Sequence, residues 1–273
     1  MTDSVAREPS DVHPLSMRLS YFLAGVAGIV IVGCATVAKS SAPAKLNAPD
    51  DVWATGTAVP ALPGHPVVPA TPPSTPANSP LLHPEDPFWL VQAPDTFHVL
   101  VETTRGPFTM ELVRALAPIG VDHFYNLVRA GYYNDSRFSR SNAGWIAQFG
   151  LARDSQVTVT WLSRPIKDDS VRAHNVRGSF TYAMRKPNDR TVEISISRRD
   201  NLVQDGQGFA PLGTIVQGMD VVDSLYSGYG ETSGGGVRAG KQGEAIVGGN
   251  AWFDTHYPRL DHLIRMTIIP TDR

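Results

Sequence analysis

Residues 137–150, RFSRSNAGWIAQFG, place two arginines ahead of a short apolar run that ends in Gln148 and glycine. Arg140 comes two residues after Phe138, in a stretch that otherwise has the pattern of a strand. One interpretation is an arginine solvated on the outer face of a sheet. The other is a guanidinium directed into a groove, where its planar fork of N–H donors would hold a ligand. The rest of the chain has to decide between them.

Other motifs that could carry chemistry are weaker. Residues 235–242, GGVRAGKQ, nearly match the phosphate-binding pattern G-x-x-x-x-G-K-[ST], but Gln242 offers no hydroxyl to magnesium. Gly243, Gly248 and Gly249 disfavour a following helix, so a surface loop is predicted there. The eight histidines lack metal-ligand spacing, and no Gly-x-Ser-x-Gly nucleophile motif occurs. Neither a metal site nor a covalent nucleophile is therefore predicted.

The charge balance argues against a nucleic-acid partner. The 273 residues carry 24 Lys and Arg against 26 Asp and Glu, which gives a formal charge of −2 at pH 7. A nucleic-acid-binding domain typically has a basic excess. The one cysteine, Cys34, allows no intrachain disulfide.

Residues 1–42 are predicted to be a signal peptide or membrane anchor. Within them, residues 19–38 carry no charge, and about 20 such residues can span a hydrocarbon core as a helix. Residues 31–34, Ile-Val-Gly-Cys, resemble the lipobox of bacterial lipoproteins, which implies lipidation of Cys34. A signal anchor and a buried core helix are the alternatives, and Met17 is an alternative start because the leader is acidic. A lipidated Cys34 or a signal anchor would tether the chain to a membrane, with its domain in the cell envelope, outside the cytoplasm.

Residues 43–95 are predicted to be a disordered, proline-rich linker. Residues 43–94 hold 13 of the 22 prolines, and proline fixes φ and lacks the amide donor that a helix or sheet interior needs. Such a segment is a semi-extended spacer. Proline-rich segments are also ligands for aromatic grooves, so the linker could alternatively occupy a groove of its own domain.

Residues 96–270 have the pattern of one folded domain. Residues 97–103 and 107–113 predict a hairpin around a glycine-containing turn. The spacing of apolar residues predicts one helix within residues 117–133 and a second within residues 219–228. Short strands are predicted through most of the remainder. Many short strands with two helices indicate a mainly β fold, in which a closed or nearly closed antiparallel barrel is capped by the helices.

Three segments of this domain resemble the cyclophilin family of peptidyl-prolyl cis-trans isomerases, in its bacterial branch. RFSRSNAGWIAQFG is similar to the family signature Phe-His-Arg-Val-x-x-x-Phe-x-x-Gln-x-Gly, and VRGSFTYAM is similar to its Arg-Gly-x-x-x-Met-Ala strand. QGFAPLGTIVQGMDVVDSLYSGYGE is close to the segment that forms a barrel strand and the second helix in bacterial members. The resemblance covers nearly all of residues 96–270. It implies a closed antiparallel barrel, an outer groove for proline-containing polypeptides, and chemistry that needs no cofactor or metal.

The resemblance assigns roles to the matching residues. Arg140 matches the catalytic arginine, which favours the groove over the solvated surface. Gln148 matches a glutamine that hydrogen-bonds the substrate and orients that arginine. Trp145 and Ile146 match the apolar pair that lines the proline pocket, and Ala183 matches a strand residue whose backbone holds the peptide.

The pocket departs from the family pattern at three positions. Glu193 stands where the family has a second glutamine, and near Arg140 it could pair with the guanidinium and compete with the substrate. Ser195 stands where a phenylalanine forms the pocket floor, although Trp145 could refill part of that space, and Gln204 replaces a large apolar residue at the rim. Two functions stay open: an isomerase with a modified pocket, and a non-catalytic module that binds proline-containing peptides.

Overall fold

The computed structural model describes residues 74–233 and 242–269. The uncharged stretch at residues 19–38 and the candidate lipidation site Cys34 lie outside the described residues. Among the helices of the described part, none is long and apolar enough to cross a membrane.

The described residues contain one eight-stranded antiparallel sheet. Its strands are β1 (Thr96–Thr103), β2 (Gly106–Val113), β3 (Arg140–Asn142), β4 (Ile146–Phe149), β5 (Ser179–Tyr182), β6 (Ile194–Ser197), β7 (Pro211–Gln217) and β8 (Leu263–Ile269). Their order across the sheet is β3-β4-β6-β5-β7-β2-β1-β8. The mainly β prediction is confirmed.

The predicted hairpin between β1 and β2 is also confirmed. Thr103 pairs with Gly106 across the turn, and the register continues to the pair Thr96 and Val113. Phe97, Val99 and Val101 of β1 are buried while the residues between them are more exposed. This alternation with period two turns one face of the strand toward the core.

The sheet curls strongly but does not close into a fully paired barrel. Its edge strands β3 and β8 are joined ahead of their first residues by an isolated bridge between Arg137 and His262. There, the Phe138 amide donates to Asp261 O and the Leu263 amide donates to Ser136 O, each at 2.9 Å. The edges therefore meet at one corner, and the predicted closed barrel is found as a curled half-barrel.

Four α-helices accompany the sheet in the described residues, where the sequence pattern predicted two. They are α1 (Pro118–Arg129), α2 (Ser155–Leu162), α3 (Met219–Ser224) and α4 (Gln242–His256). The predicted pair corresponds to α1 and to the short α3. The other two were missed for different physical reasons.

A helix forms where Gly243, Gly248 and Gly249 were expected to disfavour one. Helix α4 spans all three and breaks its regular geometry at Gly249, where φ is 55° and ψ is −150°. Each glycine costs about 1 kcal/mol in a helix relative to alanine. Burial of Ala245 and Phe253 in a small apolar cluster of their own offsets that cost.

Helix α2 was missed because its sequence, SQVTVTWL, is rich in β-branched residues. The Asp154 side chain caps it by accepting the Gln156 amide at 2.9 Å. Val157 and Trp161 of the helix are buried in the main core. Capping and burial together outweigh the local β propensity.

The N-terminal end of α1 is capped by a residue distant in sequence. Its own cap position, Ala117, has no side chain that can accept a hydrogen bond. The Asp169 carboxylate instead accepts the amides of Ile119 at 3.0 Å and Gly120 at 2.8 Å. Asp169 also pairs with Arg190, whose Nη1 lies 3.2 Å from Oδ2. One buried ion pair therefore connects the start of α1 to the segment ahead of β6.

The expectation of a disordered linker up to residue 95 does not hold for residues 74–95. The Trp161 indole donates to Leu81 O at 2.9 Å, and the Trp89 and Trp161 ring centroids are 4.3 Å apart. The Asn126 amide donates to the carbonyls of Trp89 and Val91. Proline is compatible with this segment because its two short 3₁₀ helices each begin at a proline, where no amide donor is needed.

Candidate active site

All seven pocket residues proposed from the sequence line one cavity of about 450 Å³. Arg140 comes from β3, Trp145 from the β3–β4 turn, and Ile146 and Gln148 from β4, while Ala183 directly follows β5, Glu193 directly precedes β6 and Ser195 lies in β6. Gln204, at the predicted rim, also lines this cavity. The structure thus brings together residues from three strands and from the segments next to β5 and β6, and their roles stay a prediction.

Strand register places the polar groups in a row. Arg140 is directly opposite Gln148 in the β3–β4 pair, and Gln148 is directly opposite Ser195 in the β4–β6 pair. Side chains directly opposite in an antiparallel pair lie on the same face. The β3–β4 turn includes Gly144 at a φ of 67°, a conformation that glycine adopts without steric cost.

The guanidinium of Arg140 faces the cavity in a fixed orientation. Its Nε and Nη2 donate to Glu231 Oε1 at 2.9 and 2.6 Å, and its Nη1 donates to Gln148 Oε1 at 3.3 Å. The same group lies over the Trp145 ring, 4.8 Å from its centroid. The Arg140 side chain retains 18% of its exposure. The groove interpretation of this arginine therefore fits the structure, and the solvated one does not.

Glu231 is one of the residues of this site that sequence reasoning missed. It is 91 positions from Arg140, and it also accepts the Asn142 amide at 2.7 Å. The chain around it is fixed to β3, because Gly230 forms a bridge with Ser141. Its only sequence signal was its place at the end of the motif SLYSGYGE, which carried no role.

Glu193 does not form the ion pair with Arg140 that its position suggested. Its Oε1 accepts the Gln148 amide at 2.9 Å, and its Oε2 accepts the Gln242 amide at 3.0 Å. Because Arg140 has only donors, the Gln148 oxygen must face Arg140 and its nitrogen must face Glu193. The polar side chains thus form a chain from Glu231 through Arg140, Gln148 and Glu193 to Gln242 of α4.

Burial is the largest influence on Glu193 and raises the pKa of its carboxyl above the usual value. The hydrogen bonds from Gln148 and Gln242 act in the opposite direction, as does the more distant charge of Arg140. The side chain is partly buried and still contributes to the cavity wall. The site therefore contains a carboxylate that is solvated mainly by protein amides.

The floor of the cavity is polar at Ser195 and apolar around it. The Trp145 ring, which also lines the cavity, lies against the guanidinium of Arg140. The apolar lining comes in part from side chains that the sequence pattern did not place there, among them Leu162 of α2, Ile246 of α4 and Phe209. The Ala183 amide already donates to Glu193 O at 2.8 Å. The backbone group of Ala183 that remains for a bound peptide is therefore its carbonyl, which accepts a hydrogen bond.

Comparisons with known proteins agree on one family. The model for "Cyclophilin type peptidyl-prolyl cis-trans isomerase/CLD" matches residues 98–241. Peptidyl-prolyl cis-trans isomerase A of Dickeya dadantii is 32% identical over 135 residues, which are 47% of this chain and 70% of that protein. Peptidyl-prolyl cis-trans isomerase cyp18 of Streptomyces antibioticus is 31% identical over 141 residues, 46% of this chain and 81% of that protein.

Among solved structures, a cyclophilin type peptidyl-prolyl cis-trans isomerase of Cryptosporidium parvum has a TM-score of 0.48 and 16% identity, over 65% of this chain and 99% of that chain. The family model covers more than half of the present chain and includes every strand from β2 to β7. The segment that it matches also carries all seven cavity residues that were proposed from the sequence. On the sequence matches, this chain belongs to the cyclophilin family of peptidyl-prolyl cis-trans isomerases.

Proposed function

We propose that the chain is a prolyl isomerase that acts on X-Pro bonds in extended or unfolded polypeptide segments, with Arg140 as the catalytic group. The observation that carries the proposal is the guanidinium of Arg140, held at the cavity by Glu231, Gln148 and Trp145. The family to which the chain belongs supports the same reaction.

Catalysis of prolyl isomerisation requires that the site bind the amide in its twisted form. Rotation about the X-Pro bond must overcome about 18–20 kcal/mol, because the planar amide loses its resonance. As the bond twists, the prolyl nitrogen regains a lone pair that can accept a hydrogen bond. A donor fixed at that point stabilises the twisted amide more than either planar form, and so accelerates the rotation.

Arg140 has the donors that this mechanism needs. A guanidinium carries five N–H bonds, and its contacts within the described residues use one each on Nε, Nη1 and Nη2. The second N–H of each terminal nitrogen is left for a substrate in the cavity. Because Glu231 accepts from both Nε and Nη2, we infer that it holds the plane of the guanidinium before the substrate arrives.

The test is catalysed exchange between the cis and trans forms of a blocked Ala-Ala-Pro-Phe peptide, followed by NMR exchange spectroscopy with the full-length chain. We expect the exchange to accelerate in proportion to protein concentration. A folded chain that binds the peptide without accelerating its exchange would instead support a non-catalytic binding module. The observation that supports this second function is the presence of two polar side chains, Ser195 and Glu193, in the lining of the cavity.

We further propose that the chain acts in the cell envelope, tethered through a lipid on Cys34. The support is in the sequence alone, in the uncharged residues 19–38 and the lipobox-like Ile-Val-Gly-Cys. In a bacterial host that lipidates such motifs, we expect the native chain in the membrane fraction with incorporated labelled palmitate, and Cys34→Ser without label. A Cys34→Ser chain that stays fully in the membrane fraction, with no label in the native chain, would indicate a signal anchor instead.

A further inference from the structure

Each arginine that lines the cavity is already paired with a carboxylate other than Glu193. Arg140 holds Glu231, with Nη2 and Oε1 2.6 Å apart. Arg185 holds Asp189 through two contacts, of 2.9 Å from Nε and 3.3 Å from Nη2. Among the described residues that line the cavity, no basic side chain is therefore left unpaired beside Glu193.

Glu193 receives neutral donors only. Its two oxygens accept amide hydrogens from Gln148 and Gln242, and no ion pair joins it to a basic group of the described residues. Amide donors stabilise a carboxylate but leave its negative charge in place. Arg140 and Arg185 act on it only from a longer range. When Glu193 is ionised, the described residues therefore leave its negative charge unpaired in the wall of a cavity that is open to a ligand.

The cavity also has room beside the prolyl ring. Its volume of about 450 Å³ lies in the range of about 300–1,000 Å³ typical of small-molecule sites. A single five-membered ring occupies a small part of that volume. Loss of a phenyl ring from the floor at Ser195 contributes to this space. A second side chain of a bound segment can therefore enter next to Glu193.

We propose that Glu193 makes the site selective for X-Pro segments that carry a lysine or arginine within two residues of the proline. This inference rests on the proposed function and adds a substrate class to it. A flexible cationic side chain entering the cavity would meet a carboxylate that has no counter-ion among the described residues, whereas an acidic side chain would be repelled. Gln242 of α4 fixes the carboxylate on the side away from Gln148.

The experiment compares two series of blocked peptides, Ala-Xaa-Pro-Phe and Xaa-Ala-Pro-Phe, in which Xaa is lysine, methionine or glutamate. Both kcat/KM by NMR exchange and Kd by NMR titration are measured on the full-length chain. In at least one series we expect kcat/KM for the lysine peptide to exceed that for the glutamate peptide by about tenfold at low salt. This ratio should shrink at high salt, because the interacting charges are partly solvated.

Two variants locate the effect. Glu193→Gln replaces one carboxylate oxygen with an amide nitrogen and so removes the charge at nearly constant size. It should bring the lysine-to-glutamate ratio of kcat/KM to within about twofold. Glu244→Gln is the matched control, since this exposed residue of α4 lies two positions after Gln242 and loses the same charge. We expect the control to keep the full ratio. Equal loss of the ratio in both variants would mean that overall charge selects the peptide, which would overturn the proposal.

The outcomes separate this inference from the proposed function. Turnover of the methionine peptide with equal kcat/KM for lysine and glutamate would leave the isomerase intact and remove the selectivity. If no peptide is isomerised, the proposed function fails and the dissociation constants decide the selectivity by themselves. A lower Kd for the lysine peptide, lost in Glu193→Gln, would then still support the role of Glu193, and equal Kd values would overturn it.

Discussion

Replacement of Arg140 by alanine is expected to lower kcat/KM for prolyl isomerisation by about 100-fold or more, the usual cost of removing a fixed donor from a transition-state site. The alanine removes the N–H groups that face the cavity and leaves the prolyl nitrogen without a donor as the amide twists. Peptide affinity should fall much less, since the other cavity residues remain. NMR exchange rates at several peptide concentrations separate the two effects, and circular dichroism checks the fold.

Three further variants test why this arginine works. Arg140→Lys keeps the charge but lacks the planar fork, so its activity should stay near that of the alanine variant. Glu231→Ala keeps the guanidinium but removes the carboxylate that accepts from its Nε and Nη2, and a loss of about tenfold or more is expected from these two charge-assisted hydrogen bonds. Arg265→Ala is the control, because Arg265 lies on β8 in an exposed pair with Glu102. An Arg140→Ala rate within twofold of the native rate would exclude Arg140 as the catalytic group.

Replacement of Arg190 by methionine is expected to lower the free energy of unfolding by about 3–5 kcal/mol, because it leaves the buried carboxylate of Asp169 without its counter-ion. Arg190 is only 1% exposed. Its Nε lies 3.0 Å from Asp168 Oδ1, and its Nη1 lies 3.2 Å from Asp169 Oδ2. Its Nη2 also donates to the Lys167 carbonyl. Since Asp169 caps α1, the loss should extend to the start of that helix. Urea unfolding followed by circular dichroism measures the change.

Burial is the reason that this ion pair matters, and a matched substitution tests it. Arg265→Met breaks a pair in which the arginine side chain is 61% exposed, so a loss of less than about 1 kcal/mol is expected. Adding Asp169→Asn to Arg190→Met should recover part of the stability, because it removes the charge left unpaired. If Arg190→Met cost no more than Arg265→Met, the buried ion pair would not stabilise the fold.

The order of motifs along the chain was sufficient to place the central residues of the site. Arg140, Trp145, Ile146 and Gln148 lie in one short hairpin, so strand pairing over a few residues brings them together. Ala183 and Ser195 come from the strand segments that complete the row. For these residues local register and the family resemblance contain the necessary information.

The hydrogen-bond partners of Arg140 and Glu193 could not be predicted in the same way. Glu231 and Gln242 reach the site from segments that are 91 and 49 positions from Arg140 and Glu193, respectively. Glu193 was expected to compete with the substrate for Arg140. In the structure its carboxylate instead accepts a hydrogen bond from Gln148, which separates it from Arg140. Which carboxylate meets which cation depends on distances that only the folded chain defines.

The sequence by itself determined the family, the mainly β fold and the hairpin that presents Arg140, because these depend on motifs and on period-two alternation. It did not determine α4, the cap on α1 or the packing of residues 74–95, where local propensity opposes the observed structure or is silent. Glycines in α4 and prolines in residues 74–95 are accommodated because tertiary burial contributes more than local propensity takes away. Tertiary structure likewise decided the ion pairs of the cavity, since both of its described arginines are held by carboxylates other than Glu193.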